Sequence, residues 1–118
     1  MRVESFLSDI FRICKLPEDQ FGRVLLCVSE ALLNAIQHGN KFNITKSVEI
    51  GVKCESNSIS IDIRDEGMGF DPLEVEDPTQ GLNIKKESGR GIYIIRSLCD
   101  SIEFKNNGKC IRIIIDFK

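Results

Sequence analysis

Within SEALLNAIQHGN, residues 29–40, a glutamate, an asparagine and the sole histidine recur at every fourth position, as Glu30, Asn34 and His38. An α-helix turns about 100° per residue, so a four-residue step drifts only about 40° and the three side chains share one edge spanning about 80°. A carboxylate, an amide and an imidazole so arranged suit a metal-nucleotide site. An amide oxygen ligates Mg2+ without adding charge, and a neighbouring carboxylate accepts a proton. Zinc fits poorly, because one imidazole and no thiol converge there. A nucleophilic triad fits poorly as well, since Ser29 points about 100° off the edge. Taken singly, each of the three residues is equally at home on a solvated face.

Two glycine boxes lie further along. DEGMGF directly follows a strand-like run, so Asp65 ends the strand, while Gly67 and Gly69 let backbone pass close to a flat ligand. SGRGIYII places Gly89, Arg90 and Gly91 at the start of a helix, where unpaired N–H groups and the helix dipole attract phosphate. This second box lacks the G-K-[ST] ending of a Walker loop and opens no βαβ unit. Alone, the first box is compatible with a tight turn and the second with a flexible helix entry.

The elements that must carry these residues are legible from periodicity. Val3, Phe6, Leu7, Ile10, Phe11 and Cys14 have helical spacing, which predicts an amphipathic helix over 2–15. After KLPEDQ, with Pro17 early in the next helix and Glu18 and Asp19 at its positive end, a second helix runs to about His38 and stops at Gly39. Leu25, Val28, Leu32 and Ile36 are expected to face the sheet, which turns the Glu30–Asn34–His38 edge away from the primary core. Val48, Ile50, Val52 and Cys54 alternate, as do Ile59, Ile61 and Ile63 after the ESNS turn, giving a hairpin with one buried face. Residues 65–91, rich in glycine and charge, read as a functional lid or a disordered linker. A third helix is expected from about Gly91, then strands SIEFK and KCIRIIIDF around an NNG turn. Ile113, Ile114 and Ile115 make the last strand apolar on both faces, as for a strand inside the sheet. The order predicts an α+β fold, an antiparallel or mixed sheet covered on one face by helices.

Composition narrows the function classes. A chain of 118 residues with 42% hydrophobic and 29% charged residues is one ordinary globular domain, taken as 1–118. A net charge of −2 gives no footprint for direct nucleic-acid binding. No apolar run approaches the roughly 20 residues of a membrane span, and the N-terminus does not read as a signal peptide. Five scattered cysteines without a C-x-x-C pair argue against a disulfide framework or zinc site, and predict reduced, mostly buried thiols in a cytoplasmic protein.

The ordered combination is more specific than any part. Polar-edged helix, strand ending in D-x-G-x-G, lid, and G-x-G at a helix start together resemble the GHKL ATPases, the fold of sensor histidine kinases, gyrase, Hsp90 and mismatch-repair ATPases. SEALLNAIQHGN is similar to their N box, DEGMGF to their first glycine box and ESGRGIYIIRSLCD to their second. The E-x-x-x-N-A-x-x-H form with its ESGRG segment most resembles the bacterial anti-sigma factor serine kinases, and the likeness covers about residues 18–117. It implies a two-layer α/β sandwich of the Bergerat type, with a mixed, mainly antiparallel sheet and helices on one face.

The resemblance also implies roles. Asn34 would ligate Mg2+ on the phosphates of ATP, and Glu30 would be the general base for a substrate hydroxyl. His38 would lie near the phosphate channel or cap the helix end. Asp65 would accept a hydrogen bond from the adenine amino group, with Gly67 and Gly69 admitting the base. Gly89, Arg90 and Gly91 would hold phosphates, and Lys85 and Lys86 would reach the terminal one. The implied activity is ATP-Mg2+-dependent phosphorylation of a serine on a small antagonist (anti-anti-sigma) protein, with a sigma factor as second partner. The alternatives are a non-catalytic ATP-dependent binding module, a kinase in a switch without a sigma factor, and a detached histidine-kinase catalytic domain. Anti-sigma members usually begin with a strand, whereas here a helix begins almost at Met1. A sheet edge is therefore expected to stand open or be filled by a homodimer mate or another partner.

Overall fold

Leu7 and Phe11, four residues apart, are the buried anchors of helix α1, Val3–Cys14, with Val3, Phe6 and Ile10 packed around them. The helix ends in a Schellman turn. Lys15 takes the left-handed conformation at φ 55°, the Leu16 N–H donates to the Phe11 carbonyl at 2.9 Å, and the Lys15 N–H donates to Arg12 at 3.4 Å. A lysine in that conformation costs about 1–2 kcal/mol relative to the right-handed one. Burial of Leu16 beside the buried Phe11 offsets it. Pro17, with φ −65°, then leads into a 3-10 turn, Glu18–Gln20, which continues as helix α2, Phe21–Asn34, and a π-helical turn, Ala35–Gly39.

This computed structural model describes residues 3–39, 46–66, 87–106 and 109–117, with backbone alone at 38–39 and 87–90. Strands β1, Val48–Glu55, and β2, Ser58–Asp65, form the expected hairpin. Helix α3, Glu87–Leu98, precedes β3, Ser101–Lys105, and β4, Cys110–Asp116. The sheet order is β1-β2-β4-β3 and every pair is antiparallel, so β4 lies inside as its two-sided apolar character predicts. Asn106, at φ 54°, opens the β3–β4 turn.

The helices cover one face of this sheet. Ile59, Ile61 and Ile63 of β2 and Ile111, Ile113 and Ile115 of β4 form its buried floor, each side chain contributing about 1.5–3 kcal/mol. The opposite face is charged. Asp62 and Arg112 sit directly across from each other in the β2–β4 register and share two hydrogen bonds, at 2.7 and 2.9 Å, while Arg64 pairs with Glu49 at 3.4 Å. These pairs satisfy the open face without a covering layer.

The hydrogen bond from Arg112 holds the Asp62 carboxyl below its ordinary value, against a smaller opposing effect of burial. A carboxyl whose folded pKa is depressed adds stability that is present above its unfolded pKa, near 4, and lost as pH falls through the folded value. Asp62→Asn is therefore expected to lower the urea midpoint at neutral pH and to flatten its decline below about pH 4. Parallel acid limbs for variant and wild type would refute that contribution.

The phase of α2 departs from expectation. Val24, Val28, Ala31 and Ala35 face the sheet, whereas Ile36, expected there, is 41% exposed. The core-facing stripe is thus rotated by roughly 75° from the predicted one. The cause is that α2 is flanked on both sides: Phe11 of α1 meets Phe21 edge-on at 5.2 Å, and α3 packs along the other flank. The Glu30–Asn34 edge faces that second flank, so Asn34 is buried rather than solvated. Two boundaries also move. The helix continues through Gly39 instead of stopping there, and α3 begins at Glu87 rather than near Gly91.

Candidate functional site

Two sets of contacts fix how α2 and α3 lie against each other. Arg23, early in α2, donates from Nε to the Leu98 carbonyl at the end of α3. Glu30, later in α2, lies against Gly91 near the start of α3, where an added Cβ would stand 3.5 Å from Glu30 Oε2. Each pair of contacts is seven residues apart on its own helix, about 10 Å, so the two helices run antiparallel over two turns. The Arg23 end also lies at the end of β4, since Arg23 reaches the Asp116 carbonyl at 3.3 Å and the Asp100 carboxylate at 3.2 Å. The Glu30 end is therefore the end at which β2 finishes.

Four features gather at that end. Asn34 closes the α-helical part of α2 and is 5% exposed, and its amide makes no side-chain hydrogen bond among the described residues. A buried amide without a partner carries an unmet demand for a ligand. Beside it, the Ala35 N–H is shared between the Ala31 and Leu32 carbonyls as the helix widens into the π turn, and that turn packs on β2. Such turns recur at functional sites. Asp65, the last residue of β2, is 7% exposed and continues the buried series Ile59, Ile61, Ile63 with a carboxylate. Its backbone N–H donates to the Lys109 carbonyl at 2.8 Å, which fixes the strand's end. The first turn of α3 begins at Glu87, so its free N–H groups fall at 87–90.

Glu30, Asn34, Asp65 and Gly91 are thus brought to one end of the fold. Gly91 lies past the first turn of α3, and its missing side chain leaves the Glu30 carboxylate against the helix. Gly89 and Arg90 are in the first helical turn. His38 is in the π turn, with only its backbone described. Gly67, Gly69, Lys85 and Lys86 lie outside the described residues.

Two contributors were missed. Arg23 clamps the far end of α3, and Asp100, which it engages, also accepts the Asp116 N–H at 2.6 Å. The signal was there: a cation in the first turn of a helix is disfavoured by the dipole, so Arg23 needed another partner. Glu66, within the first glycine box, accepts the Ser47 N–H at 2.9 Å and closes the mouth of the β1–β2 hairpin beside Asp65. No sequence signal marks that bond, because its two residues are joined only by strand register.

The residues at this end could hold a magnesium-bound triphosphate: the Asn34 amide oxygen would be one uncharged ligand, and the free N–H groups at the start of α3 would attract phosphate.

The sequence model of the family described as histidine kinase-like ATPase domain matches residues 1–115. The anti-sigma F factor of Bacillus subtilis (strain 168) is 33% identical over 102 residues, which are 80% of this chain and 68% of that protein. The serine-protein kinase RsbW of Oceanobacillus iheyensis is 31% identical over 90 residues, 69% of this chain and 55% of the kinase. The anti-sigma F factor of Bacillus thuringiensis (strain Al Hakam) is 34% identical over 93 residues, 75% of this chain and 62% of that protein.

Proposed function

The chain belongs to the histidine kinase-like ATPase family, and from that membership we propose that it is an anti-sigma-type serine kinase. In this role it transfers phosphate from ATP to a serine of a small antagonist protein and also binds a sigma factor, acting in the cytoplasm. The observation that carries the proposal is the buried Asn34 amide, unpartnered among the described residues, one helical turn from the Glu30 carboxylate.

Each residue has a distinct task. Asn34 would offer its amide oxygen to Mg2+, and Asp65 would accept a hydrogen bond from the adenine amino group. The first turn of α3, with Gly89 and Arg90, would receive the phosphates, assisted by Lys86. Glu30 would take the proton of the serine hydroxyl as that oxygen becomes a nucleophile. When bound, Mg2+ neutralises charge on the transferring phosphoryl group. Gly91 keeps the helix backbone close to Glu30 and so limits how far that carboxylate can swing. A carboxylate base suits a hydroxyl acceptor, which favours serine transfer over a detached histidine-kinase domain. Among the described residues no strand pairs with the outer side of β1, and a second copy or a partner could add one there.

The test is affinity capture from an extract of the source organism with and without ATP, followed by labelled phosphate transfer to the recovered proteins. Recovery of a small protein that gains phosphoserine, together with nucleotide-dependent capture of a sigma factor, is the expected result. Nucleotide-dependent capture with no phosphoserine formed would replace the kinase with a binding module.

A further inference from the structure

The core thins out at β1, the outermost strand on one side of the sheet. Val48, Ile50, Val52 and Cys54 face the helices but stay half-buried, whereas Ile59, Ile61 and Ile63 on β2 are 0–1% exposed. The helix layer above is open at the same edge. α3 packs on β3 and α2 on β2 and β4, which leaves α1, on the other flank of α2, at the β1 side. Ile13 lies about 160° round α1 from Phe11, whose ring meets Phe21 of α2, so it points away from α2 and toward the edge. There it is 69% exposed.

The backbone at this edge is directed for pairing. Ser47 donates its N–H across the hairpin to Glu66, and Asp65 donates its own to Lys109, away from β1. Peptide groups alternate in direction along a strand, so those of Glu49, Gly51, Lys53 and Glu55 turn to β2. The N–H and C=O groups of Val48, Ile50, Val52 and Cys54 therefore point outward, and among the described residues no strand pairs with that row. The strand runs eight residues in unbroken register and has neither the bulge nor the proline that blunts many edges.

We infer that β1 is a self-complementary interface, which pairs antiparallel with β1 of a second copy about a two-fold axis through Gly51. In that register outward groups meet outward groups: Ile50 bonds to Val52 of the partner subunit and Val48 to Cys54 of the partner subunit, each repeated by symmetry. On the charged face, Glu49 meets Lys53 of the partner subunit, and so stands between that lysine and Arg64, its companion at 3.4 Å. Gly51 meets Gly51 of the partner subunit at the close spacing of a non-hydrogen-bonded pair, where neither has a side chain to clash. The adjacent registers of the same parity lose this match. An axis at Val52 sets Glu49 against Glu55 of the partner subunit, and one at Ile50 sets it against Gly51 of the partner subunit. A strand matched to itself in both hydrogen bonding and charge selects a second copy over an unrelated peptide. The helices of both copies then lie on one side, and each half-buried row covers the other. This pairing stands whether or not the chain is a kinase.

The experiment is sedimentation velocity on the full chain, in which the wild type is expected to run as a dimer. Glu49→Lys and Lys53→Glu should each raise the dissociation constant by about 10–100-fold, since each sets two like-charge pairs across the axis. Circular dichroism should show both variants folded, because both positions are exposed. Mixing the two variants should restore a dimer, since both contacts between unlike chains then join opposite charges. As a second route, Gly51→Cys should link two chains through that position under mild oxidation, read by mass mapping of the linked peptide. A monomeric wild type, a dimer indifferent to both charge changes, a mixture no tighter than either variant alone, or no link through position 51 would overturn the inference.

Discussion

Glu30→Gln should slow phosphate transfer to a serine acceptor by about 10²–10⁴-fold, the range for removing a positioned general base, while ATP affinity stays close to wild type. Glutamine keeps the length and most of the packing against Gly91, where Oε2 stands 3.5 Å from the position of an added Cβ. What it loses is the capacity to accept a proton. The separation of rate from binding makes the variant diagnostic, since a general packing defect would move both together. Single-turnover transfer by the variant at the wild-type rate would remove Glu30 from the mechanism, and a parallel loss of ATP binding would recast it as a structural residue.

Asp65→Asn is expected to weaken ATP binding by about 10–100-fold, matching the 1.5–3 kcal/mol of a hydrogen bond to a charged acceptor. The substitution leaves the backbone bond to Lys109 in place, because that bond uses the main-chain N–H. The thermal midpoint should therefore change far less than the affinity does. Titration calorimetry with ATP measures the loss, and GTP gives a second readout, because the wild-type preference for adenine should narrow. Wild-type ATP affinity in this variant would refute the adenine assignment for Asp65.

Sequence made the sheet and its end easy to read. Ile59, Ile61 and Ile63 alternate strictly, and Asp65 falls on the next position of the same face, where an apolar residue would ordinarily stand. A carboxylate in a buried register position announces a site before any contact is known. The facing of α2 was harder. Leu25, Leu32 and Ile36 made an apolar stripe as good as that of Val24, Val28 and Ala35, and only the presence of helices on both flanks decides between them. Asn34 became a buried residue through that same choice. The Arg23 clamp depends on segments distant in sequence, so periodicity within one element carries no trace of it.

The grip of Arg23 on the Leu98 carbonyl and on Asp100 has a mechanical consequence. It sets the axial register of the last helix at its C-terminal tip, and the approach of Glu30 to Gly91 sets it again two turns away. Indexed at both points against its neighbour, that helix keeps its first turn at a single height over the end of β2.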